Sequence, residues 1–96
     1  SAVLQSRTEQ STTTIASGSG AKNVTFNKPF FTGTASLGGT NAYLPSIGIT
    51  AQGMASGDFF ELSNVSGTGF TVHFKNGGSD INRNFSYQAV GFGKGV

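Results

Sequence analysis

Apolar and polar positions alternate most strictly in the second half of the chain. Phe70, Val72 and Phe74 are interleaved with Thr71, His73 and Lys75, and Phe85, Tyr87 and Ala89 with Asn84, Ser86 and Gln88. A period of two is that of a strand with one buried and one wet face. Asn76-Gly77-Gly78 lies between the two runs, and Asn and Gly tolerate the positive φ that hairpin turns require. The stretch from Thr68 to Phe92 therefore reads as a β-hairpin with an aromatic face. Three weaker runs precede it. Val24 and Phe26 alternate within Asn23–Phe31, where Pro29 ends the strand or confines it to an edge. Tyr43, Ile47 and Ile49 share a face within Tyr43–Gln52, and Phe60 and Leu62 are in phase within Asp58–Asn64.

Strands at a spacing of about ten residues are the rhythm of a β-sandwich. Residues 22–96 are accordingly expected to form one small antiparallel sandwich. Residues 1–21 read differently. Thr8 to Gly20 is mostly Ser, Thr, Gly and Gln, a composition with little to bury, and the segment is expected to be a spacer joining the domain to an upstream protein. Ser1-Ala2-Val3-Leu4-Gln5-Ser6 also resembles the glutamine-directed cleavage site of coronavirus main proteases, which would make it a processing remnant. One break in phase stands out. Val90 and Phe92 fall on the same face as Asn84, Ser86 and Gln88, so the final strand either contains a bulge, which shifts phase by one residue, or is covered there by a neighbouring subunit.

Composition supports the all-β reading. The chain has 96 residues, among them 15 Gly and 9 Phe but no Trp and no Cys, and Leu, Glu, Lys and Met are all few. Without cysteine there is no disulfide framework and no thiolate metal site. The net charge of +2 comes from few charges, and Lys22, Lys28, Lys75, Arg83 and Lys94 are scattered rather than clustered along a face, which argues against nucleic acid as a partner. No apolar run approaches the ~20 residues of a membrane span, so membrane insertion is not expected. A domain of this size buries a limited core and often gains stability by oligomerisation.

Few residues suggest chemistry. His73 is the only histidine; Asp80, seven residues on across the turn, can approach it, but a general base also needs a nucleophile. Asp80, Asn82 and Asn84 begin like a calcium loop, yet Phe85 and Gly91 occupy the positions where such a loop needs Gly and Glu. Gly91-Phe92-Gly93-Lys94-Gly95 lacks the spacing of a phosphate loop and reads as a flexible terminus. No catalytic residues, no metal ligands and no cofactor are expected, and the chain is not expected to be an enzyme. The loop Gly33–Asn41 and the turn Asn76–Asp80 are the candidate binding regions, since adaptable polar loops on a rigid scaffold are where recognition concentrates. Ser36, Asn41, Tyr43, Lys75, Asn76, Ser79 and Asp80 are the candidate contact residues, with Tyr43 able to stack on a ligand. Val90 and Phe92 are the candidate subunit interface.

Three segments carry a family resemblance: Val24-Thr25-Phe26-Asn27-Lys28-Pro29-Phe30, Thr68-Gly69-Phe70-Thr71-Val72 and Phe85-Ser86-Tyr87-Gln88-Ala89-Val90-Gly91. Their order and spacing resemble those of the H-type lectin domain and of the C-terminal domains of phage tail fibres and lambda-like host-specificity tail-tip proteins. The closing Ala89 to Val96 is more similar to the phage versions. The resemblance implies a six-stranded antiparallel sandwich assembled as a homotrimer, carried on a virion tail and binding a bacterial cell-surface receptor, either a glycan or an outer-membrane protein. The runner-up reading is a carbohydrate-binding domain outside a phage, and a third is a structural trimerisation cap with no ligand. Where H-type lectins tend to place a sugar-contacting Trp, this chain has Lys75-Asn76, which speaks against the usual mode of sugar binding.

Overall fold

The computed structural model describes residues 3–95. It is all-β with no helix: β1 (Val3–Gln10), β2 (Ile15–Ala16), β3 (Ala21–Thr25), β4 (Ser46–Ala51), β5 (Asp58–Ser63), β6 (Gly69–Asn76), β7 (Ser79–Asp80) and β8 (Asn84–Gly95). They form two antiparallel sheets of four strands each. In one, β8 is central. It pairs with β4 from Ser46↔Val90 to Ala51↔Phe85 and, along its other side, with β1 from Val3↔Gly95 to Gln10↔Gln88 and with β2 at Ile15↔Phe85. In the other, β6 is central, with β5 on one side and β3 and the short β7 on the other.

The core lies between the two central strands. Phe70, Val72 and Phe74 of β6 meet Phe85, Tyr87 and Ala89 of β8, with Val24, Phe26 and Phe30 completing the cluster. Rings touch across the gap, Phe70 to Tyr87 at 5.3 Å and Phe74 to Phe85 at 5.7 Å between centroids. The buried faces expected from the alternation are therefore the observed ones, but their pairing is not. The two runs do not form one hairpin. They belong to different sheets and oppose each other face to face, and the hairpin at Asn76 is only the short β6–β7 return, Lys75↔Asp80 and Asn76↔Ser79.

The segment expected to be a spacer supplies two strands. β1 has almost no apolar residues, yet its whole length pairs with β8. Arg7 and Glu9 lie opposite Gly91 and Ala89 and so face the interior. The Glu9 carboxylate accepts hydrogen bonds from the Tyr87 hydroxyl (2.7 Å) and the backbone N–H groups of Asn27 (3.0 Å) and Lys28 (3.3 Å). The Arg7 guanidinium donates to the carbonyls of Lys28 and Pro29 at 2.8 and 3.1 Å and stacks on Phe30 at 3.9 Å from the ring centroid. Phe30 in turn lies against Gly91, where a Cβ would come within 2.7 Å of the ring, so only glycine admits it. Gly91–Gly95, expected to be a flexible terminus, is paired strand. The strand expected over 23–31 ends earlier, at Thr25; beyond it Asn27 and Lys28 spend their N–H groups on Glu9 and Pro29 has none to give.

The phase break at Val90 and Phe92 is not a bulge. The ladder to β1 runs without interruption through both residues, so both side chains point outward. Phe92 is half-buried against Tyr43, at 5.6 Å and nearly edge-on, and its backbone bridges to Phe31. The cover that the pattern demanded at Phe92 comes from the same chain. Val90 stays 43 % exposed.

Candidate functional site

The loop between residue 31 and β4 is a folded unit. Phe31 N–H donates to the Phe92 carbonyl (2.7 Å) and Tyr43 N–H to the Thr32 carbonyl (3.0 Å), which closes its base. Inside, Thr34 and Leu37 exchange both backbone hydrogen bonds at 3.1 Å. Gly38 has a φ of 78° and the Tyr43 ring rests directly on its Cα, 2.6 Å from where a Cβ would stand, so this residue has to be glycine on two counts. Tyr43 also stacks on Phe31 at 6.3 Å. Of the residues expected to bind here, Tyr43 is thus the half-buried anchor of the loop. Ser36 and Asn41 are fully at the surface; the Ser36 hydroxyl is 3.3 Å from that of Thr34, and Asn41 takes a φ of 63° at the far turn.

The second candidate region is at the other end of β8. Phe31 bridges Phe92, whereas the turn after Asn76 adjoins the connection to Asn84. Eight residues of strand separate those levels, roughly 26 Å at about 3.3 Å per residue. The two expected loops are not brought together, and they cannot contact one small ligand on a single chain.

In this second region most of the polar groups are already engaged. The Asn76 amide donates to Asp58 Oδ1 (2.7 Å) and to the Ser56 carbonyl (3.0 Å). Asp58 also accepts from Ala55 N–H at 2.7 Å and from Arg83 Nη2 and Nε at 2.8 and 3.0 Å. The Ala55 N–H, then the Asn76 amide and the Arg83 guanidinium, hold the Asp58 carboxyl down at about 2. Asn76 is therefore part of a clamp that ties β5, β6 and the start of β8. Asp80 does meet His73, with Oδ1 2.8 Å from Nε2. That pair faces solvent, and no hydroxyl hydrogen-bonds to His73 among the described residues. Lys75 lies 3.8 Å from Glu61, and Ser79 is exposed. No group of three or more His, Cys, Asp or Glu with metal-binding geometry occurs among the described residues.

Sequence reasoning missed two clefts. One, of about 500 Å³, lies where β1 runs under the segment after β3 and is lined by Gln5, Ser6, Arg7, Lys28, Pro29, Phe30, Phe31 and Gly93. The other, of about 270 Å³, lies between the β1–β2 connection and β3, lined by Ser11, Thr12, Thr13, Ile15, Lys22, Asn23, Val24, Thr25, Asn27 and Tyr87. Tyr87 at its base has its hydroxyl pushed up to about 12, by burial first and then by its hydrogen bond to the Glu9 carboxylate and that group's charge. One signal for the second cleft was in the sequence: Lys22 is in phase with Val24 and Phe26, on the face that turns inward. For the first there was none, because Gln5 and Arg7 belong to a stretch without apolar periodicity.

No family model matches the chain, and no curated protein and no solved structure matches it.

Proposed function

We propose that this chain is a cell-surface attachment domain, a receptor-binding module of a phage or prophage tail that docks on a bacterial glycan or outer-membrane protein. The observation that carries the reading is the loop between Phe31 and Ser46. It is rich in Gly, Ser and Thr, is closed by its own backbone hydrogen bonds, is pinned at its base by Phe31, Tyr43 and Phe92, and offers Ser36 and Asn41 outward. Exposed hydroxyl and amide groups held on a rigid scaffold present hydrogen-bonding partners at little ordering cost. The sequence resemblance supports the same class.

The domain acts as a homotrimer in this reading, with Val90 buried against a neighbour. Support comes from the middle of the outer face of the β8 sheet, where the outward positions Thr8, Gln10, Ser46, Thr50, Gln88 and Val90 include no charge. Depletion of charge marks the centre of protein interfaces. Three copies on one axis raise avidity without tight binding at any single site. The same uncharged face favours the alternative of a trimerisation cap without a ligand.

The test is labelling of a panel of bacterial strains by the purified fluorescent chain, with its mass in solution measured on the same sample. A trimer that labels some strains, loses them on Ser36→Ala plus Asn41→Ala, and fails after stripping of surface glycans or deletion of one outer-membrane protein upholds the reading and names the receptor type. A trimer that labels no strain favours the cap. A monomer that labels none overturns both.

A further inference from the structure

The cleft between the β1–β2 connection and β3 has a lining that the attachment reading does not use. β3 is an edge strand, and Lys22 pairs in register with the fully buried Val72. Its side chain therefore leaves on the inner face, in phase with Val24 and Phe26. The ion pairs among the described residues are Arg7–Glu9, His73–Asp80, Lys75–Glu61 and Arg83–Asp58, and none includes Lys22. No carboxylate lines the cleft. Glu9 stands behind its Tyr87 and Asn27 end, but that carboxylate is already committed to a phenol and two backbone N–H groups. An inward lysine on an edge strand can be a guard against strand pairing. A guard needs no partners around it. Here Thr12 and Thr13, whose hydroxyls have no hydrogen-bond partner among the described residues, line the same cleft, over apolar surface from Ile15, Val24 and the Tyr87 ring.

We propose that this cleft binds one acidic sugar residue, with Lys22 taking the carboxylate and the threonine hydroxyls the ring hydroxyls. The volume of about 270 Å³ lies just under the range of about 300–1,000 Å³ for drug-sized ligands, so it suits a single ring-sized unit. Threonine hydroxyls both donate and accept, as sugar hydroxyls do, and the apolar patch faces the C–H side of the ring. One unopposed ammonium selects for one negative charge. The proposal rests on the attachment reading in taking a surface glycan as the source of the residue.

The probe is galacturonate, titrated into the full isotope-labelled chain and followed by amide NMR, with galactose and acetate as comparisons. Saturable shifts confined to residues 11–13 and 22–27, with galacturonate about ten-fold tighter than galactose as one charge-assisted hydrogen bond provides, are expected. Lys22→Gln should erase that preference, Lys22→Arg should keep it, and Thr13→Val should weaken both sugars; spectra of the free variants check that each still folds. Galacturonate no tighter than galactose, or shifts reproduced by acetate, would overturn the site. Labelling of cells separates the two ideas. If Lys22→Gln labels strains as the unaltered chain does, the cleft is not the receptor site and attachment stands. If galacturonate binds but no strain is labelled, the cleft stands and attachment falls.

Discussion

β1 and β3 occupy equivalent places, each an edge strand flanking the long central strand of its sheet, and they are held by opposite means. β3 turns Val24 inward and leads into Phe26, and burial of each such side chain contributes about 1.5–3 kcal/mol. β1 turns Arg7 and Glu9 inward. It is held by its ladder to β8, by the Glu9 carboxylate gathering Tyr87 and two N–H groups, and by the stacking of Arg7 on Phe30. Charged residues facing inward on an edge also discourage pairing with another chain. The comparison teaches that an edge held by apolar burial announces itself in sequence, whereas one held by charge and backbone pairing looks like a linker.

The largest test of this contrast is on the apolar side. Phe74→Ala, at a fully buried position, should cost about 3–5 kcal/mol, read from denaturant unfolding. A cost under about 1 kcal/mol would mean that the facing of β6 on β8 is not the core. On the charged side, Glu9→Ala should cost about 2–3 kcal/mol by leaving the Tyr87 hydroxyl and two N–H groups without their acceptor. A spacer would show no change at all. Gly91→Ala drives a methyl into the Phe30 ring beneath Arg7 and should cost about 1–3 kcal/mol, with the chemical shifts of Phe30 as the local readout.

Titration sharpens the comparison further. Tyr87 is raised to about 12 in the fold, against 10.0 when free. The unfolded chain therefore releases this proton first, and the associated stability, full below pH 10, declines from about pH 10 to 12. Ultraviolet titration should find the Tyr87 midpoint moved down toward 10 in Glu9→Gln. Asp58 runs the other way, lowered to about 2 from 3.8. Its contribution is present above pH 4 and is lost as pH falls from about 4 to 2, so Asp58→Asn should flatten the acid limb of stability in that window. The smallest effect is expected at Lys75, whose 3.8 Å pair with Glu61 is open to solvent. Lys75→Ala should change stability by less than about 0.5 kcal/mol, and a larger loss would show that the outer face of β6 is more than a solvated surface.

The candidate binding regions were legible in part. That residues 33–41 form a loop and that the chain reverses at Gly77-Gly78 followed from Gly, Ser and Asn, whose backbone and side-chain preferences are local; that Asn76 and Ser79–Asp80 pair as strand did not. What those residues do there did not follow. Tyr43 anchors a loop because Phe31 and Phe92 arrive beside it from distant positions, and Asn76 is consumed by Asp58, eighteen residues away. The inward phase of Lys22 was legible from Val24 and Phe26, but the cleft it lines was not, because Ser11–Thr13 reach it from a segment without apolar periodicity.

The sequence by itself determined the all-β class and, for the strands with apolar alternation, the side that each buries, because alternation is a property of the backbone pleat and needs no partner. Tertiary structure alone decided which strands pair. The Phe70 and Phe85 runs look alike whether they sit side by side or face to face, and only packing sets them in opposite sheets, where their rings fill one core. It alone decided that residues 3–10 belong to the fold, since a backbone ladder and a shared carboxylate leave no periodic mark in sequence. It also decided that Phe92 is covered by its own chain, because a pattern can show that a residue needs cover without saying what provides it.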